Sequence, residues 1–334
     1  MKKLLACLLC LLLGVSLLTA CQPKMAEIAL VMAEGTIDDG TINQEAWAGI
    51  AKYCEEKGIS NQSFQASENT QTARMDAVSL AVKRGAMLVV CSGASFQDTL
   101  VQAAKEFPDV TFSEVQAGFL AGYAAVENGW TKLGFFSEKK DSQSILYGYG
   151  FVQGAQAYAK AKEMPAQSVE IRYAYADKPG NIPENQAIAK EWFQNGAEAI
   201  FTIGYELTNG VIAAAEEFGK QVIGADVNWS DASQNVAISA VKHYSQAVQD
   251  LIDLSYNEEL TGGSTVQRTA AENGIALTMD DSHLKNFTRK AYDNLVIALA
   301  DDVSGMAADL VNTPAEDGSI GASGIVLSEV KVIE

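Results

Sequence analysis

The sequence is poor in the residues that carry metal and nucleophile chemistry. Histidine occurs twice, as His243 and His283, and neither has a ligating residue at a metal-like spacing. Cysteine occurs five times, as Cys7, Cys10, Cys21, Cys54 and Cys91. The first three lie in an N-terminal leader, so only Cys54 and Cys91 belong to the body of the chain. Both sit in apolar patterns, where each reads as a small buried residue rather than half of a bridge or a metal pair. Proline is scarce, with six in all, and breaks few elements. Basic residues are outnumbered, 24 Lys plus Arg against 42 Asp plus Glu, for a formal charge of −18. No basic patch is available to neutralise phosphates, which excludes nucleic acid as a partner. No Gly-x-Gly-x-x-Gly follows the first apolar strand, and there is no phosphate loop, nucleophile elbow or paired histidine. An enzyme of the doubly wound type is disfavoured on those grounds, and no cofactor or metal is expected.

What is present is a leader followed by a long, regular alternation. Lys2 and Lys3 precede an apolar run from Leu4 to Leu18, closed by Leu18-Thr19-Ala20-Cys21. The run is too short and too near the start for a membrane span. Leu-Thr-Ala-Cys resembles a bacterial lipobox, which makes residues 1–21 a signal peptide ending at a lipidated Cys21 and residues 22–25 a tether. An ordinary secretory signal cleaved after Ala20 is the alternative. Either way the mature chain lies outside the cytoplasmic membrane. Acyl chains on Cys21 would anchor it to the extracytoplasmic face by burying many CH₂ groups.

The stretch Gly35-Thr36-Ile37-Asp38-Asp39-Gly40-Thr41-Ile42-Asn43-Gln44 organises the reading of the rest. Ile28–Met32 before it has the length and branching of a buried parallel strand, and Trp47, Ile50 and Tyr53 after it fall at helical spacing. A polar loop at the carboxyl end of such a strand is where open α/β sheets take ligands. Asp39, Asn43 and Gln44 place donors and acceptors there, although Asp39 or Asn43 would equally serve as a helix cap. Further strands are expected at 62–65, 87–91, 110–112, 132–136, 169–175, 199–204, 221–227 and 236–241. Helices are expected at 70–84, with apolar Met75, Val78, Leu80 and Val82, and at 95–107, 115–128, 149–162, 184–195, 208–218, 244–256 and 290–299. Gly and Ala at Ala117, Gly118, Ala121 and Gly122 would let one of these helices approach a neighbour closely.

Alternation of this kind gives an α/β fold with parallel sheets, right-handed crossovers and helices on both faces. Two sets predict two doubly wound lobes with a ligand cleft between them. Residues 26–129 plus about 244–285 would form the first, and 130–243 plus about 286–334 the second. The enclosed loop acids and tyrosines need no chemistry: Glu198, Glu216 and Glu217 read as solvated faces, and Tyr147, Tyr149 and Tyr173 as packing.

Several stretches, in order, resemble the basic membrane protein family of nucleoside-binding lipoproteins. These are substrate-binding components of ABC importers with the periplasmic-binding-protein type I fold. The matching residues are Gly35 to Asp39 with Asn43-Gln44, Glu114 to Ala125, Lys132 to Phe135, Gly148 to Ala155, Val222 to Val227 and Ser239 to Lys242. The resemblance implies a purine nucleoside as ligand, an ABC permease as partner and a monomeric binding protein. It assigns Asp39 and Asn43 to the base, and Asp226 and Lys242 to the ribose hydroxyls. A carboxylate suits that role because it can accept from two vicinal hydroxyls.

The chain departs from the family pattern in the expected cleft. Ile42 stands where the family has Phe, and Ser137-Glu138 where it has Gly-Gly, which narrows a loop that should approach the ligand. Tyr205-Glu206-Leu207-Thr208 replaces a glycine-rich turn. About two dozen residues, enough for a strand and its connection, are missing between Phe112 and Ser113. The first lobe is therefore expected to be one strand short and to lack one ligand-binding acid. Tyr205 and Trp229 would supply replacement stacking surfaces or, equally, fill a cleft that no longer binds a ligand. A changed planar ligand such as a flavin, or a surface sensor or adhesin with an occluded cleft, are the competing functions.

Overall fold

The computed structural model describes residues 26–96, 99, 109–259 and 265–334. The leader, Cys21, the tether and most of the expected helix 95–107 lie outside the described residues. In chain order the strands are β1 (Ile28–Met32), β2 (Asn61–Gln65), β3 (Leu88–Ser92), β4 (Asp109–Phe112), β5 (Lys132–Ser137), β6 (Val169–Tyr175), β7 (Ala199–Ile203), β8 (Gln221–Asp226), β9 (Val236–Lys242), β10 (Thr265–Arg268), β11 (Ile275–Leu277) and β12 (Val330–Ile333). The α-helices are α1 (Ile42–Lys57), α2 (Gln71–Lys83), α3 (Glu114–Glu127), α4 (Ser142–Ala161), α5 (Pro183–Gln194), α6 (Tyr205–Phe218), α7 (Tyr244–Tyr256) and α8 (Arg289–Ala300).

The described residues cluster into two compact units, residues 26–39, 43–96 with 99, and 248–259 in one, and 40–42, 109–247 and 265–334 in the other. The first holds a parallel three-stranded sheet in the order β2-β1-β3. All five residues of β1 are buried because it is the central strand, covered on both faces. Helix α2 starts where the Thr70 hydroxyl accepts from Ala73 N. Its buried face is lined by small residues. Ala73, Ala77 and Ala81 form the stripe that meets the sheet, while Leu80 and Val82 are 44% and 56% exposed. Small side chains at i, i+4 and i+8 bring the helix backbone close to β1, and the larger apolar residues are left at the flanks. The latter part of α7 contributes Val248 and Ile252 to the same core as Ile28, Leu30 and Ile50. Cys54 and Cys91 are both free thiols, the first buried and the second half-buried, and burial pushes the Cys91 thiol up to about 12.

The second unit is built on a seven-stranded sheet in the order β11-β9-β8-β7-β5-β6-β12, parallel except for β11 against β9. Strand order reverses at β5, between β6 and β7, so the carboxyl ends of β5 and β7 flank a topological switch point. Strand β4 does not extend the three-stranded sheet. It pairs in parallel with β10, Asp109 opposite Thr265 and Phe112 opposite Arg268. Among the described residues the first unit's sheet is thus small, as the shortened sequence after Phe112 implies. Residues 114–129 and 265–285, read from sequence with the first lobe, cluster with the second unit. The reason is local: β11 pairs with β9, and α3 lies tightly along α4.

That helix pair rests on reciprocal glycines. A Cβ at Gly118 would stand 2.1 Å from Tyr147 O, and one at Gly122 1.9 Å from Phe151 O. From the other helix, a Cβ at Gly150 would stand 2.0 Å from Val115 O, and one at Gly154 2.0 Å from Phe119 O. The backbones touch where any side chain would part them. Gly122→Ala is therefore expected to lower unfolding stability by about 2–3 kcal/mol, the scale of overpacking in a core with nowhere to relax. Gly321→Ala, where the nearest atom to a new Cβ is 3.9 Å away, should leave the urea midpoint nearly unchanged.

Candidate functional site

Each unit carries a cluster of polar residues at the carboxyl ends of its parallel strands. In the first, the loop after β1 is braced by its own side chains. Asp39 Oδ2 accepts from Thr36 N and from Asn43 Nδ2, both at 3.0 Å. Asn43 Nδ2 also donates to Glu34 O at 2.9 Å, and Asn43 Oδ1 accepts from Ser92 Oγ at 2.5 Å. The last bond joins the loop to the end of β3. Gly35 makes this turn possible: it has φ +77°, and a Cβ there would fall 2.2 Å from Asp39 Oδ2. Asn43 is buried, Asp39 half-buried and Gln44 exposed. The geometry places Asn43 and Asp39 as the loop's internal frame and leaves Gln44 on the surface of α1.

In the second unit the cluster is centred on Lys242, the last residue of β9. Its ammonium lies 2.9 Å from Glu114 Oε1 and 3.0 Å from Asp226 Oδ1, and its side chain is only 2% exposed. An ordinary surface lysine is ruled out. The rings of Tyr147, Phe112 and Tyr244 surround the same nitrogen at 5.1, 5.9 and 5.9 Å, a cation–π environment that keeps water away. Asp226 ends β8 with φ +67°, and Val227 N bonds Ala225 O around it at 2.8 Å. Its Oδ1 also accepts from Tyr147 Oη at 2.9 Å. Gln143 Nε2 donates to Glu114 Oε1 at 3.2 Å. Burial opposes the charge on Lys242, but Asp226, Tyr147, Tyr244 and Glu114 together outweigh it and hold the ammonium well above its usual 10.5. Burial, and then the Asp226 carboxylate, likewise raise the Tyr147 phenol well above 10.0.

Sequence reading found Asp226 and Lys242 but missed Glu114 and Tyr147. The signal for Glu114 was an acid opening an otherwise apolar Gly/Ala helix. Tyr147 offered none, since it precedes the expected helix 149–162 and reads as packing. At the switch point, Glu138 lies over Gly204, where a Cβ would meet Glu138 Cβ at 2.4 Å. Burial raises the Glu138 carboxyl. Glu138 N also donates to Ile203 O at 2.8 Å, so the narrowing expected from Ser137-Glu138 is present. Beside it, Tyr205 is 43% exposed and stands 5.1 Å from the Trp229 ring. Trp229 itself is buried, with Nε1 donating to Ala225 O at 3.0 Å, so only Tyr205 presents an aromatic face. Tyr147, Tyr149 and Tyr173 are core residues. His243 and His283 each pair through Nδ1 with a backbone carbonyl, those of Asn273 and Gln234. Among the described residues no cluster of His, Cys, Asp and Glu is arranged to hold a metal, and no helix is long and apolar enough to cross a membrane.

Comparison with known proteins places these features in context. The family model described as ABC transporter substrate-binding protein PnrA-like matches residues 26–117 and 109–298. The ABC transporter nucleoside-binding protein BmpA of Lactococcus lactis is 22% identical over 311 residues, covering 80% of this chain and 86% of that protein. Basic membrane protein A1 of Borrelia garinii is 23% identical over 301 residues, covering 82% and 86%. Among solved structures, an ABC transporter solute-binding protein from Conexibacter woesei matches with a TM-score of 0.67 at 17% identity, covering 84% of this chain and 96% of that one. One from Aeropyrum pernix gives 0.63 at 17% identity, covering 83% and 86%. These solved structures share the fold, which is of the periplasmic-binding-protein type I class.

The raised groups fix a pH window. Lys242 and Tyr147 hold their protons more tightly folded than unfolded, so their stabilisation is complete below the unfolded values of 10.5 and 10.0 and is lost as pH rises toward the folded ones. The melting temperature is therefore expected to owe no change to these groups between about pH 6 and 9 and to fall steeply above about pH 10. Differential scanning calorimetry across that range checks it.

Proposed function

Because the chain belongs to the PnrA-like family of ABC transporter substrate-binding proteins, we propose that it is the lipid-anchored, extracytoplasmic component of an importer for a purine nucleoside or a related ring compound. The observation that carries the reading is the Asp226–Lys242 pair, a carboxylate one-third exposed and fixed by a buried ammonium at the carboxyl end of a parallel strand. Such a group accepts hydrogen bonds from sugar hydroxyls without needing to be ordered by the ligand. The Lactococcus relative, named as a nucleoside-binding protein, supports the same ligand class. Asp39, Asn43 and Gln44 are assigned to the base, and Tyr205 is the aromatic face on which a ring stacks. Trp229 supports Tyr205 from beneath. The anchor is Cys21, the ligand is handed to a membrane permease, and the protein works as a monomer by binding alone, with no chemical step.

Two features depart from the family's pattern for a nucleoside. Glu138 occupies the space above Gly204 that a Gly-Gly loop would leave open, and Tyr205 adds an exposed ring beside it. A flavin-like ring is the second reading.

Thermal-shift measurement on the chain beginning at Gln22 separates these. A ligand that binds the folded state at 100 times its dissociation constant adds about 2.7 kcal/mol, or roughly 4 °C for a protein of this size. Guanosine, adenosine or inosine should give that shift, and Asp226→Ala should remove it. A shift with riboflavin alone would select the second reading, and no shift with any of them from a cooperatively melting sample would contradict both. In cells, Cys21→Ala should release the protein from the membrane fraction.

A further inference from the structure

The Lys242 cluster is unevenly shared between the two oxygens of Asp226. Both groups that reach it, Tyr147 Oη at 2.9 Å and Lys242 Nζ at 3.0 Å, sit on Oδ1. Among the described residues no hydrogen bond reaches Oδ2. Among the three charged side chains of the cluster the carboxylate of Asp226 is the most exposed: Lys242 and Glu114 are 2% and 9% exposed, against 33% for Asp226. One ammonium faces two carboxylates, so an excess negative charge remains, and it is most accessible at Asp226. Backbone geometry reinforces the arrangement. The left-handed φ of Asp226 and the tight Val227-to-Ala225 turn fix where the carboxylate begins, and two donors on one oxygen then fix its rotation.

We propose that Tyr147 is a positioning residue that clamps Asp226 by Oδ1 and presents Oδ2 as the single acceptor for a ligand that brings hydroxyl or other N–H and O–H donors rather than an anion. This rests on the reading of Asp226 as a sugar-binding group. Lys242 alone could not fix the carboxylate, because its ammonium is shared with Glu114 Oε1, which also takes Gln143. The tyrosine hydroxyl supplies the second point that defines a plane. Its ring is held in place by helix α4, which lies close enough to α3 only because Gly118 has no side chain to meet Tyr147 O. Tyr147→Phe keeps the ring and its packing on Lys242 but frees the carboxylate to turn.

The test is calorimetric titration of the wild type, Tyr147→Phe, Asp226→Asn and the double variant Tyr147→Phe/Asp226→Asn with a ribonucleoside and its 2′,3′-dideoxy counterpart. Asparagine tolerates the left-handed backbone at 226, so it removes the charge while keeping the turn. The expected result is a loss of about 10-fold in ribonucleoside affinity for Tyr147→Phe, the scale of a hydrogen bond to a charged group. Dideoxynucleoside affinity should be unchanged. In an Asp226→Asn background the tyrosine change should then have no further effect. Equal weakening toward both ligands, or none toward either, would overturn the proposal in favour of a structural role. A second measurement needs no ligand: a tyrosine hydroxyl proton protected from exchange in the NMR spectrum, lost in Tyr147→Phe and in Asp226→Ala. If the wild type binds no nucleoside, the nucleoside reading falls by itself. The protected proton then decides the clamp, its presence supporting it and its absence overturning it.

Discussion

A lysine ammonium enclosed by protein is tolerable only if carboxylates meet it, and Lys242 is the point on which the second unit's polar architecture depends. Removing such a charge from water costs several kcal/mol, which the two carboxylates and three surrounding rings must offset. Each partner comes from a different element: Glu114 opens α3, Asp226 closes β8 and Tyr147 lies within α4, while Lys242 itself ends β9. The ion cluster therefore sets the relation of two strand ends to two helices. It works in that role only because those helices are drawn together by Gly118, Gly122, Gly150 and Gly154. Packing and electrostatics are one arrangement here, since a wider helix separation would move Glu114 and Tyr147 away from the ammonium.

The first unit orders its loop after β1 from within, through the loop's own side chains. It uses Asp39 and Asn43 as internal struts and reaches β3 through Ser92. Side chains committed to holding a loop have less freedom to adapt to a ligand, which makes the loop preorganised and narrows what it can accept. With only three strands among its described residues, this unit has a small frame, and self-bracing of the loop compensates for the shorter sheet.

The elements were legible in the sequence wherever an apolar run met a clear boundary. Strand Val169–Tyr175 and helix Tyr244–Tyr256 follow their periodicity to the residue. Helix α4 begins earlier than its apolar pattern, at Ser142, because Asp141 caps it by accepting from Ser144 N at 2.9 Å. A polar first turn carries no hydrophobic signal. The alanine face of α2 carried little signal for a related reason: hydrophobicity ranks leucine and valine above alanine, whereas close approach to a sheet ranks them below. In the candidate site, Asp226 and Lys242 stood out by resemblance, but nothing local distinguishes a buried lysine from an exposed one at a strand end. Its burial follows from partners distant in sequence, Glu114 among them, which reads alone as an ordinary acid complementing a helix dipole. Tyr147, 79 residues from Asp226, reads as a core aromatic, which it also is.

The most direct measurement of this account is the titration of the Lys242 side chain itself, by NMR of the ¹⁵N- and ¹³C-labelled lysine assigned through Lys242→Met. The account expects an ammonium that stays protonated and slow to exchange with water as pH passes the ordinary 10.5, until the protein unfolds. A Lys242 resonance that titrates at or below that value, with rapid solvent exchange, would show an ammonium free of its carboxylates and would contradict the central claim.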